Sequence, residues 1–350
     1  MASTLSDEVV AWQRLHGRHG LPWQGTRDPY RIWLSEVMLQ QTQVATVLGY
    51  YGRFLEGFPD VSALAAAPLD DVLALWSGLG YYSRARNLHR CAQVVVAEHG
   101  GCFPSVSHAL ATLPGVGRST AAAIAALAFG ERAAILDGNV KRVLTRVLGF
   151  DGDLAQAAPE RELWHRATAL LPERDVDIYT QGLMDLGATL CTLRRPQCER
   201  CPLAQRCVAR AAGQAERYPV KSRRLKRGRR ENALLWLEHR GCWWLVQRPA
   251  TGVWAGLWSL PERLSVADLF TELAGLPGER TVLPVIEHAL THFDWTLHPL
   301  RWTLPARGVA AALREWSTLP WASPGKWVTP QEALALGLPA PVRRLLQGAA

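Results

Sequence analysis

The stretch Leu-Pro-Gly-Val-Gly-Arg-Ser-Thr-Ala at residues 113–121 decides how the first part of the chain folds. Gly115 and Gly117 permit a tight turn, and the alanine-rich residues after Thr120 are typical of a helix. A glycine-rich turn that opens a helix presents backbone N–H groups at the positive end of the helix dipole, where a phosphate binds well. Such a turn can also serve only to reverse the chain between two helices, so the turn alone leaves both interpretations open.

Helical periodicity surrounds this turn on both sides. Between Tyr30 and Phe58 the apolar residues recur close to the helical period, which predicts a long helix there. Further helices are predicted at 68–77, 83–98, 106–112, 118–129, 138–148, 159–171 and 176–190. Short turns rich in Pro, Gly and Asp separate these segments, and none of them alternates as a strand does. Residues 6–210 are therefore predicted to be all-α.

The last third of the chain has a different composition. Ten of the 15 tryptophans lie beyond residue 231. Segments 233–237, 242–247 and 295–304 are typical of strands, whereas 265–274 and 330–348 are typical of helices. This pattern predicts a second, α+β domain at residues 231–350.

The excess positive charge is confined to one short segment. The chain has 39 Lys and Arg against 31 Asp and Glu, a formal net charge of +8. Residues 1–216 and 231–350 are each formally neutral, so the whole excess lies in residues 217–230, which we call the basic strap. We predict a helical domain at 1–216, a linker at 217–230 and a second domain at 231–350. The strap itself can contact DNA, contact a protein partner or form a solvated linker.

The composition excludes several classes of protein. The chain is 48% hydrophobic and 20% charged, so it can bury a core and is not disordered. It has no apolar run near the ~20 residues that a membrane helix needs, and its first residues lack the apolar segment of a secretory signal. We therefore expect a cytoplasmic protein with no membrane partner.

Four of the seven cysteines fall within 17 residues, at Cys191, Cys198, Cys201 and Cys207. Four thiolates in one short loop can hold zinc or a [4Fe–4S] cluster, and only the central pair has the spacing usual for structural zinc. This favours an iron–sulfur cluster in a reducing compartment. Five arginines, at positions 194, 195, 200, 206 and 210, either present charge to phosphate or form a solvated basic face.

Five segments together resemble one superfamily: SEVMLQQTQV (35–44), GLGYYSRARNL (78–88), LPGVGRSTA (113–121), ILDGNVKRV (135–143) and the cysteine loop. The chain resembles the helix-hairpin-helix DNA glycosylases that carry an iron–sulfur cluster, and within them it is most similar to the MutY family of adenine DNA glycosylases. The resemblance covers essentially residues 6–350. It implies an all-α glycosylase domain with its helix-hairpin-helix at about 106–129, one [4Fe–4S] cluster on the four cysteines, and no nucleotide cofactor.

The resemblance also implies the chemistry. Breaking an N-glycosidic bond needs a protonated leaving group and a stabilised cationic sugar, a task for two carboxyl groups in different environments. Glu36 lies beside apolar Val37, where a carboxyl group should keep a proton, although it could be an ordinary exposed glutamate. In the family pattern Glu36 protonates adenine N7 and then helps to activate water. Asp137 could simply cap a helix, but the pattern implies that it stabilises the cationic sugar, with Asn139 assisting.

The scarcity of lysine bears on the type of reaction. Related bifunctional glycosylases place a Schiff-base lysine just after the glycine-rich turn, and this chain has Ser119 there. Lys141 is the only lysine in residues 1–216. We therefore expect a monofunctional enzyme that uses water, with any Schiff base at Lys141 adventitious.

Other residues are predicted to contact the DNA, because an enzyme that acts on a base must flip it out and fill the gap. Gln40, Gln41 and Thr42 are expected to follow Glu36 on the same helix, and Gln41 would lie at the opposite lesion with Tyr81. The glycine-flanked tip with Leu79, Tyr81 and Tyr82 suits wedging and stacking. Leu21, Trp23 and Gln181 would shape the adenine pocket, with Gln181 bonding the exocyclic amine. The remaining predicted DNA contacts are Pro114, Gly115, Val116, Gly117, Ser119, Lys141, Thr291 and His292.

The second domain resembles the Nudix-like domain that the family uses to sense 8-oxoguanine. Residues 263–276 lack the acidic helix that binds Mg²⁺ for pyrophosphate hydrolysis, since only Glu272 could serve there. Thr291 and His292 match the Ser-His pair of the lesion-reading loop. Leu290 replaces the usual phenylalanine, which puts stacking at that point in doubt.

The resemblance thus implies a monomeric adenine DNA glycosylase, associated with the nucleoid of a bacterium, that acts on double-stranded DNA carrying A:8-oxoguanine or, more weakly, A:G mispairs. Two other functions remain open at this stage. One is an oxidised-pyrimidine glycosylase/lyase, against which Ser119 and the second domain argue. The other is a non-catalytic lesion-binding module, against which the presence of both Glu36 and Asp137 argues.

Overall fold

The computed structural model describes residues 3–222, 226–309, 313–314, 316, 319–320, 322 and 324–348. The glycine turn lies between α7 (Ser107–Leu110) and α8 (Arg118–Phe129), and α8 begins after Gly117. Within the turn, Val116 N donates a hydrogen bond to Leu113 O at 3.1 Å. Gly115 has a φ of +75°, and a Cβ atom there would lie 2.7 Å from Cβ of Asn87. Only glycine fits this position without displacing the neighbouring chain.

Contacts divide the described residues into two units. The helical unit comprises Met1–Ala66 and Asn87–Arg224, and the sheet unit comprises Ala67–Arg86 and Leu225–Ala350. None of the helices in the described residues is long and apolar enough to cross a membrane. Besides α7 and α8, the helices up to residue 211 are α1 (Leu5–His16), α2 (Pro29–Leu39), α3 (Val44–Gly57), α4 (Val61–Ala66), α5 (Leu69–Trp76), α6 (Ser83–His99), α9 (Gly138–Leu148), α10 (Ala157–Ala169), α11 (Val176–Thr189) and α12 (Val208–Ala211).

Helix α8 can lie at the centre of the helical unit because its side chains are small. Every residue from Ala121 to Ala126 is buried, and α8 contacts α2, α7 and α11. Val9, Val140 and Leu186 belong to the core around it. Between residues 3 and 222 the structure contains no strand, which agrees with the predicted all-α character.

The prediction of one long helix from 30 to 58 is wrong. The chain breaks between α2 and α3, where Gln41 has a φ of +57° that cannot continue a right-handed helix. Gln40, Gln41 and Thr42 therefore lie in the turn after α2, and not on the same helix as Glu36. The four polar residues at 40–43 were the available signal for this break, because they interrupt the apolar pattern.

The sheet unit is built on a mixed sheet. Its strands are β1 (Gly228–His239), β2 (Cys242–Gln247), β3 (Trp258–Ser259), β4 (Glu262–Arg263), β5 (Glu279–Val282), β6 (Ile286–Ala289), β7 (Phe293–Thr303) and β8 (Gly325–Val328). The main order is β3-β2-β1-β7-β5, with β4 on β1, β6 on β7 and β8 on β2. β1 and β7 pair in parallel over Gly228–Glu238, and the other pairs are antiparallel.

Helices cover this sheet and form its core with it. α13 (Val266–Glu272) contacts β1, and its Leu269 is completely buried among Leu235, Trp302 and other core residues. The segment 330–348, expected to be helical, contains two helices, α14 (Pro330–Ala335) and α15 (Ala340–Gln347). They are separate because Leu336 has an extended backbone and Pro339 precedes α15.

Residues 67–86 pack with the sheet unit, although the sequence analysis placed them in the helical domain. The hydroxyl groups of Ser77 and Tyr82 both donate to Leu338 O, at 2.9 and 3.1 Å. The Trp258 indole donates to Asp70 Oδ2 at 3.2 Å, and Arg86 donates to a backbone carbonyl at residue 255. Helical periodicity identifies α5 and α6 as amphipathic, but it does not specify which core they cover.

The basic strap is only partly a linker. β1 begins at Gly228, and Arg230 within it pairs with Glu262 at 2.9 Å. Arg227 pairs with Asp294, so two of the strap's cations have partners in the sheet unit. The other end of the strap forms a 3₁₀ turn at Ala215–Arg217. Arg223 and Arg224 lie outside the described residues.

Replacing Gly115 by alanine should destabilise the protein by about 2 kcal/mol or more, because the positive φ and the contact with Asn87 both exclude a Cβ atom. Gly117→Ala is the matched control, since Gly117 has an ordinary φ of −82° and a Cβ atom there would meet nothing within 4 Å. Chemical denaturation of the three proteins measures both changes. Equal stability of the two variants would contradict this account of the turn.

Candidate active site and cysteine loop

A cleft of about 1630 Å³ lies in the helical unit and contains most of the residues predicted for catalysis and adenine binding. Of the predicted residues, those that line it are Leu21, Trp23, Glu36, Gln40, Gln41, Thr42, Gly117, Ser119, Asp137, Asn139 and Gln181. Pro114, Gly115, Val116 and Lys141 are not part of its lining among the described residues. Residues from α1, α2, α8, α9 and α11 therefore converge on one space.

Glu36 is half-buried in the wall of the cleft, between two fully packed neighbours on α2, Ser35 and Val37. Burial, and secondarily the nearby charge of Asp137, raise the pKa of Glu36 to about 8. The direction is the one expected from the apolar surroundings in the sequence. Glu36 is therefore a carboxyl group that holds a proton at neutral pH.

Asp137 is the N-cap of α9, and its Oδ1 accepts a hydrogen bond from Val140 N at 2.7 Å. Burial raises the pKa of Asp137 as well, but the N–H groups of Val140 and Asn139 and the charges of Arg142 and Lys141 all lower it. The net effect is a raised pKa of Asp137, and these contacts stabilise its carboxylate form only partly against the burial. The side chain that caps α9 thus also lines the cleft.

Arg142, to which the sequence analysis gave no role, ties the start of α9 to its surroundings. It donates to Asn139 Oδ1 at 2.8 Å, to Gly187 O at 2.6 Å and to Cys191 O at 2.7 Å. A Cβ atom at Gly187 would lie 2.6 Å from Cβ of Asn139, so α11 approaches α9 closely only because residue 187 is glycine. Asn139 is thus held by Arg142 at the edge of the cleft.

Gln181 faces the cleft from α11, and its side-chain NH₂ group donates to Asp185 Oδ1 at 2.9 Å. Asp185 also accepts hydrogen bonds from Arg18 and is completely buried. Asp185 and Arg18 were missed by the sequence analysis. The available signal was an acidic residue beside Leu183 and Leu186 on the buried side of α11, where a charge needs a partner.

The start of the chain supplies an aromatic wall and a further polar group. Trp23 is buried and meets Tyr51 edge to face, with ring centroids 5.3 Å apart. Gln24, also missed, accepts a hydrogen bond from Leu21 N through Oε1 at 3.1 Å. Its buried Nε2 has no hydrogen-bond partner among the described residues, and it therefore remains a donor beside the cleft.

Ser119 and Lys141 each form a polar contact with another residue of the helical unit. Ser119 Oγ accepts from Leu136 N at 3.0 Å and so helps to place the residue before Asp137. The Lys141 ammonium group pairs with Glu160 on α10. Ser119 lines the cleft, whereas Lys141 is not part of its lining.

The four cysteines of the loop line one small cavity between α9 and the end of α11. Burial raises the pKa of Cys201 to about 11 and also raises that of Cys207, and the neighbouring thiols add to both shifts. Arg146 is buried beside them, with Nη1 3.3 Å from Cys191 Sγ. No group of His, Cys, Asp or Glu in the described part of the chain is arranged to hold a single metal ion.

The arginines of this loop are partly engaged. Arg206 pairs with Glu8 at 2.7 Å, Arg200 donates to Gln197 at 2.8 Å, and Arg210 donates to a backbone carbonyl. Arg194 and Arg195 are exposed. Two interpretations of the loop, phosphate contact and solvated basic face, both fit these positions.

In the sheet unit, Tyr81 is 43% exposed, and its hydroxyl lies 3.2 Å from Thr291 Oγ1. Two residues predicted for lesion contact, distant in sequence, are thus adjacent. Leu79 and Tyr82 are buried, so of the predicted wedge tip only Tyr81 is exposed. His292 is exposed beside Thr291.

In the sheet unit, the Nudix-like segment 263–276 lacks the acidic helix of a magnesium site. Glu272, the one carboxylate that could serve a magnesium site there, pairs with Arg263. That α13 does not carry out pyrophosphate hydrolysis stays a prediction from the missing acidic residues.

Each of the two units matches a known protein family. Residues 34–168 match the family described as HhH-GPD superfamily base excision DNA repair protein, and residues 232–348 match the NUDIX domain. An adenine DNA glycosylase of Buchnera aphidicola subsp. Acyrthosiphon pisum is 33% identical, over 98% of this chain and 96% of that protein. The adenine DNA glycosylase of Homo sapiens is 34% identical, over 93% of this chain and 70% of that protein.

Solved structures resemble the helical part. A thermostable thymine-DNA glycosylase superposes with a TM-score of 0.53 at 30% identity, covering 59% of this chain and 95% of that one. Endonuclease III in a non-covalent complex with DNA superposes with a TM-score of 0.51 at 25% identity, covering 59% and 94%. These likenesses confirm the predicted glycosylase fold.

The fold and the cleft thus define a base excision DNA repair glycosylase of the HhH-GPD superfamily, followed by a Nudix-like domain. More particularly, the chain belongs to the adenine DNA glycosylase family. The family assignment and the class of enzyme predicted from the sequence are both confirmed. DNA is accordingly its partner, and the helical fold is one that suits an iron–sulfur protein.

Glu36→Gln should raise the stability of the protein increasingly as the pH rises from about 4.5 to 8. The folded protein keeps a proton on Glu36 that the unfolded chain releases above its ordinary pKa, so wild-type stability falls by up to about 1.4 kcal/mol per pH unit across this window. Glutamine does not titrate, and the two proteins should differ by a constant amount below pH 4.5. Denaturation at several pH values, with Glu56→Gln on the exposed face of α3 as the control, measures the difference. A gain that is independent of pH would contradict the raised pKa.

Proposed function

We propose that this adenine DNA glycosylase removes adenine paired with 8-oxoguanine, and more weakly adenine paired with guanine, and that it does so with water and without cutting the strand. The observation that carries the proposal is the pair of carboxyl groups in one cleft. Burial raises the pKa of both groups, to about 8 for Glu36, but only at Asp137 do the start of α9 and two cations oppose the rise. Two such groups in different environments are what glycosidic hydrolysis requires.

In the proposed mechanism Glu36 gives its proton to N7 of the flipped adenine, and the N-glycosidic bond breaks with its electron pair going to the base. The carboxylate of Asp137 stabilises the cationic sugar that remains, and Asn139 lies two residues further on, in the first turn of α9. Glu36, now ionised, accepts a proton from the water that attacks C1′. The products are free adenine and an abasic sugar, and Glu36 is protonated again.

Two contacts and the scarcity of lysine support a monofunctional reaction. Ser119 stands where a Schiff-base lysine would be needed and is bonded to Leu136 N. Lys141 pairs with Glu160 on α10 and is not part of the cleft lining. Lys141 is the only lysine in residues 1–216. Water is therefore the proposed nucleophile.

The remaining predicted residues are proposed to hold the DNA. Pro114–Gly117 would bind a phosphate through backbone N–H groups at the start of α8. Gln41 and Tyr81 would lie at the 8-oxoguanine, with Thr291 and His292 reading it from the sheet unit. The left-handed backbone of Gln41 and of Tyr81 supports this proposal, because such conformations present a side chain at the tip of a turn.

We also propose that the four cysteines of the loop hold one [4Fe–4S] cluster. They share one cavity that no carboxylate lines, and a buried guanidinium, Arg146, lies beside it. Thiolates are the ligands that such a cluster needs, and the positive charge offsets its negative charge. When bound, the cluster would cross-link the loop to itself and hold its arginines at the surface for phosphate contact.

Glu36→Gln should reduce adenine release from an A:8-oxoguanine duplex by at least about 10³-fold, since the leaving group loses its acid, while binding to the duplex is retained. A single-turnover assay, read with and without alkali, measures release and strand cutting separately. Glu56→Gln controls for loss of a carboxyl group. Full activity of Glu36→Gln would contradict the mechanism. Strand cutting without alkali would favour a glycosylase/lyase, and binding without any release by the unmodified chain would favour a lesion-binding module.

If the basic strap contacts DNA, charge reversal there should weaken the salt dependence of binding. Lys221 and Lys226 are exposed and suit this test better than Arg227 and Arg230, which have acidic partners. Lys221→Glu with Lys226→Glu should reduce the slope of log K against log salt by about 2. Arg90→Glu with Arg161→Glu, two exposed positions on the helical unit, matches the change in net charge. Equal slopes for the two double variants would contradict contact between the strap and DNA.

A further inference from the structure

Behind the lining of the cleft lies a carboxylate to which the mechanism gives no part. Asp185 on α11 is completely buried and does not itself line the cleft, and four N–H donors contact its carboxylate. Arg18 donates to it through its backbone N at 2.9 Å, through Nε at 2.7 Å and through Nη2 at 2.5 Å. The fourth donor is the side-chain NH₂ group of Gln181, at 2.9 Å.

This arrangement fixes which end of the Gln181 amide faces the cleft. The Asp185 carboxylate forms an ion pair with the Arg18 guanidinium and offers only acceptor oxygens to Gln181. Gln181 must therefore turn its NH₂ group to Asp185. Its carbonyl oxygen, Oε1, accepts no hydrogen bond within the described part of the chain and is left for whatever enters the cleft.

We propose that Asp185, held by Arg18, is a positioning residue that sets the base specificity of the enzyme through Gln181. The proposal rests on the proposed contact between Gln181 and the exocyclic amine of the flipped base. A fixed carbonyl oxygen accepts a hydrogen bond from the 6-amino group of adenine. It repels the 6-oxo group of hypoxanthine, which is otherwise nearly the same size and shape.

Rotation of the Gln181 amide would reverse this preference, because the NH₂ group would then meet the 6-oxo group as a donor. Without Asp185, nothing in the observed hydrogen bonding of Gln181 requires either orientation. A buried site that leaves a polar group of the wrong base unpaired discriminates strongly, whereas shape alone does not separate two bases of equal size. Asp185 thus acts on selectivity and does not touch the base.

The test compares single-turnover release of adenine and of hypoxanthine, each opposite 8-oxoguanine in the same duplex. Asp185→Ala should lower the ratio of the two rates by at least about 10-fold, because Gln181 becomes free to present either end. Asp185→Ser is a second variant for the case that alanine impairs folding, since a hydroxyl can donate to or accept from the amide. Asp175→Asn, which removes an ion pair with Arg14 at the N-cap of α11, is the control and should leave the ratio unchanged.

A cycle with Gln181→Met separates positioning from a merely structural effect. If Asp185 acts through Gln181, then Asp185→Ala should change the ratio in the wild-type background and leave it unchanged in the Gln181→Met background. An unchanged ratio in both backgrounds, or the same change in both, would overturn the proposal even if adenine release itself is intact. Failure of the unmodified chain to release adenine from this duplex would overturn the proposed function, and this inference with it.

Discussion

Two half-buried carboxyl groups that line one cleft cannot both be ionised at low cost, and the rest of the active site depends on this constraint. Burial raises the pKa of Glu36 and of Asp137 alike, so their different roles must come from their neighbours. The N-terminus of α9 supplies those neighbours to Asp137, as two backbone N–H groups and two positive side chains. Glu36 sits in the middle of α2, where the backbone N–H groups are already used within the helix.

The position of α9 is in turn secured from both sides. Gly187 allows α11 to approach it, and Arg142 bonds Asn139 on α9 to the carbonyls of Gly187 and Cys191. One turn further along, Arg146 is bonded to Thr192 and lies against the Cys191 sulfur. One helix therefore begins at the proposed catalytic carboxylate and passes the cysteine loop, so the geometry of the two sites is not independent.

The sequence was most informative where one residue type serves one physical need. The glycine turn, the alanine-rich α8 and the clustered cysteines each had a pattern that only a few arrangements satisfy. The raised pKa of Glu36 also followed from its apolar neighbours.

The break at Gln41 was missed because polar residues are compatible with both a helix surface and a turn. Arg18, Arg142 and Asp185 were missed because their partners are distant in sequence, and spacing carries no information about such pairs. Likewise, helical periodicity in α5 and α6 could not show that Trp76 and Tyr82 belong to the sheet unit.

That last feature has a consequence for synthesis of the protein. The sheet unit consists of two pieces of chain, and the first piece, residues 67–86, leaves the ribosome well before Leu338, which accepts its hydrogen bonds. At about 5–20 residues per second, the wait is on the order of 10–50 seconds. During that time Trp76, which is completely buried in the finished protein, lacks its final cover. Nascent chains should therefore be most exposed to chaperones and proteases while the sheet strands are being made.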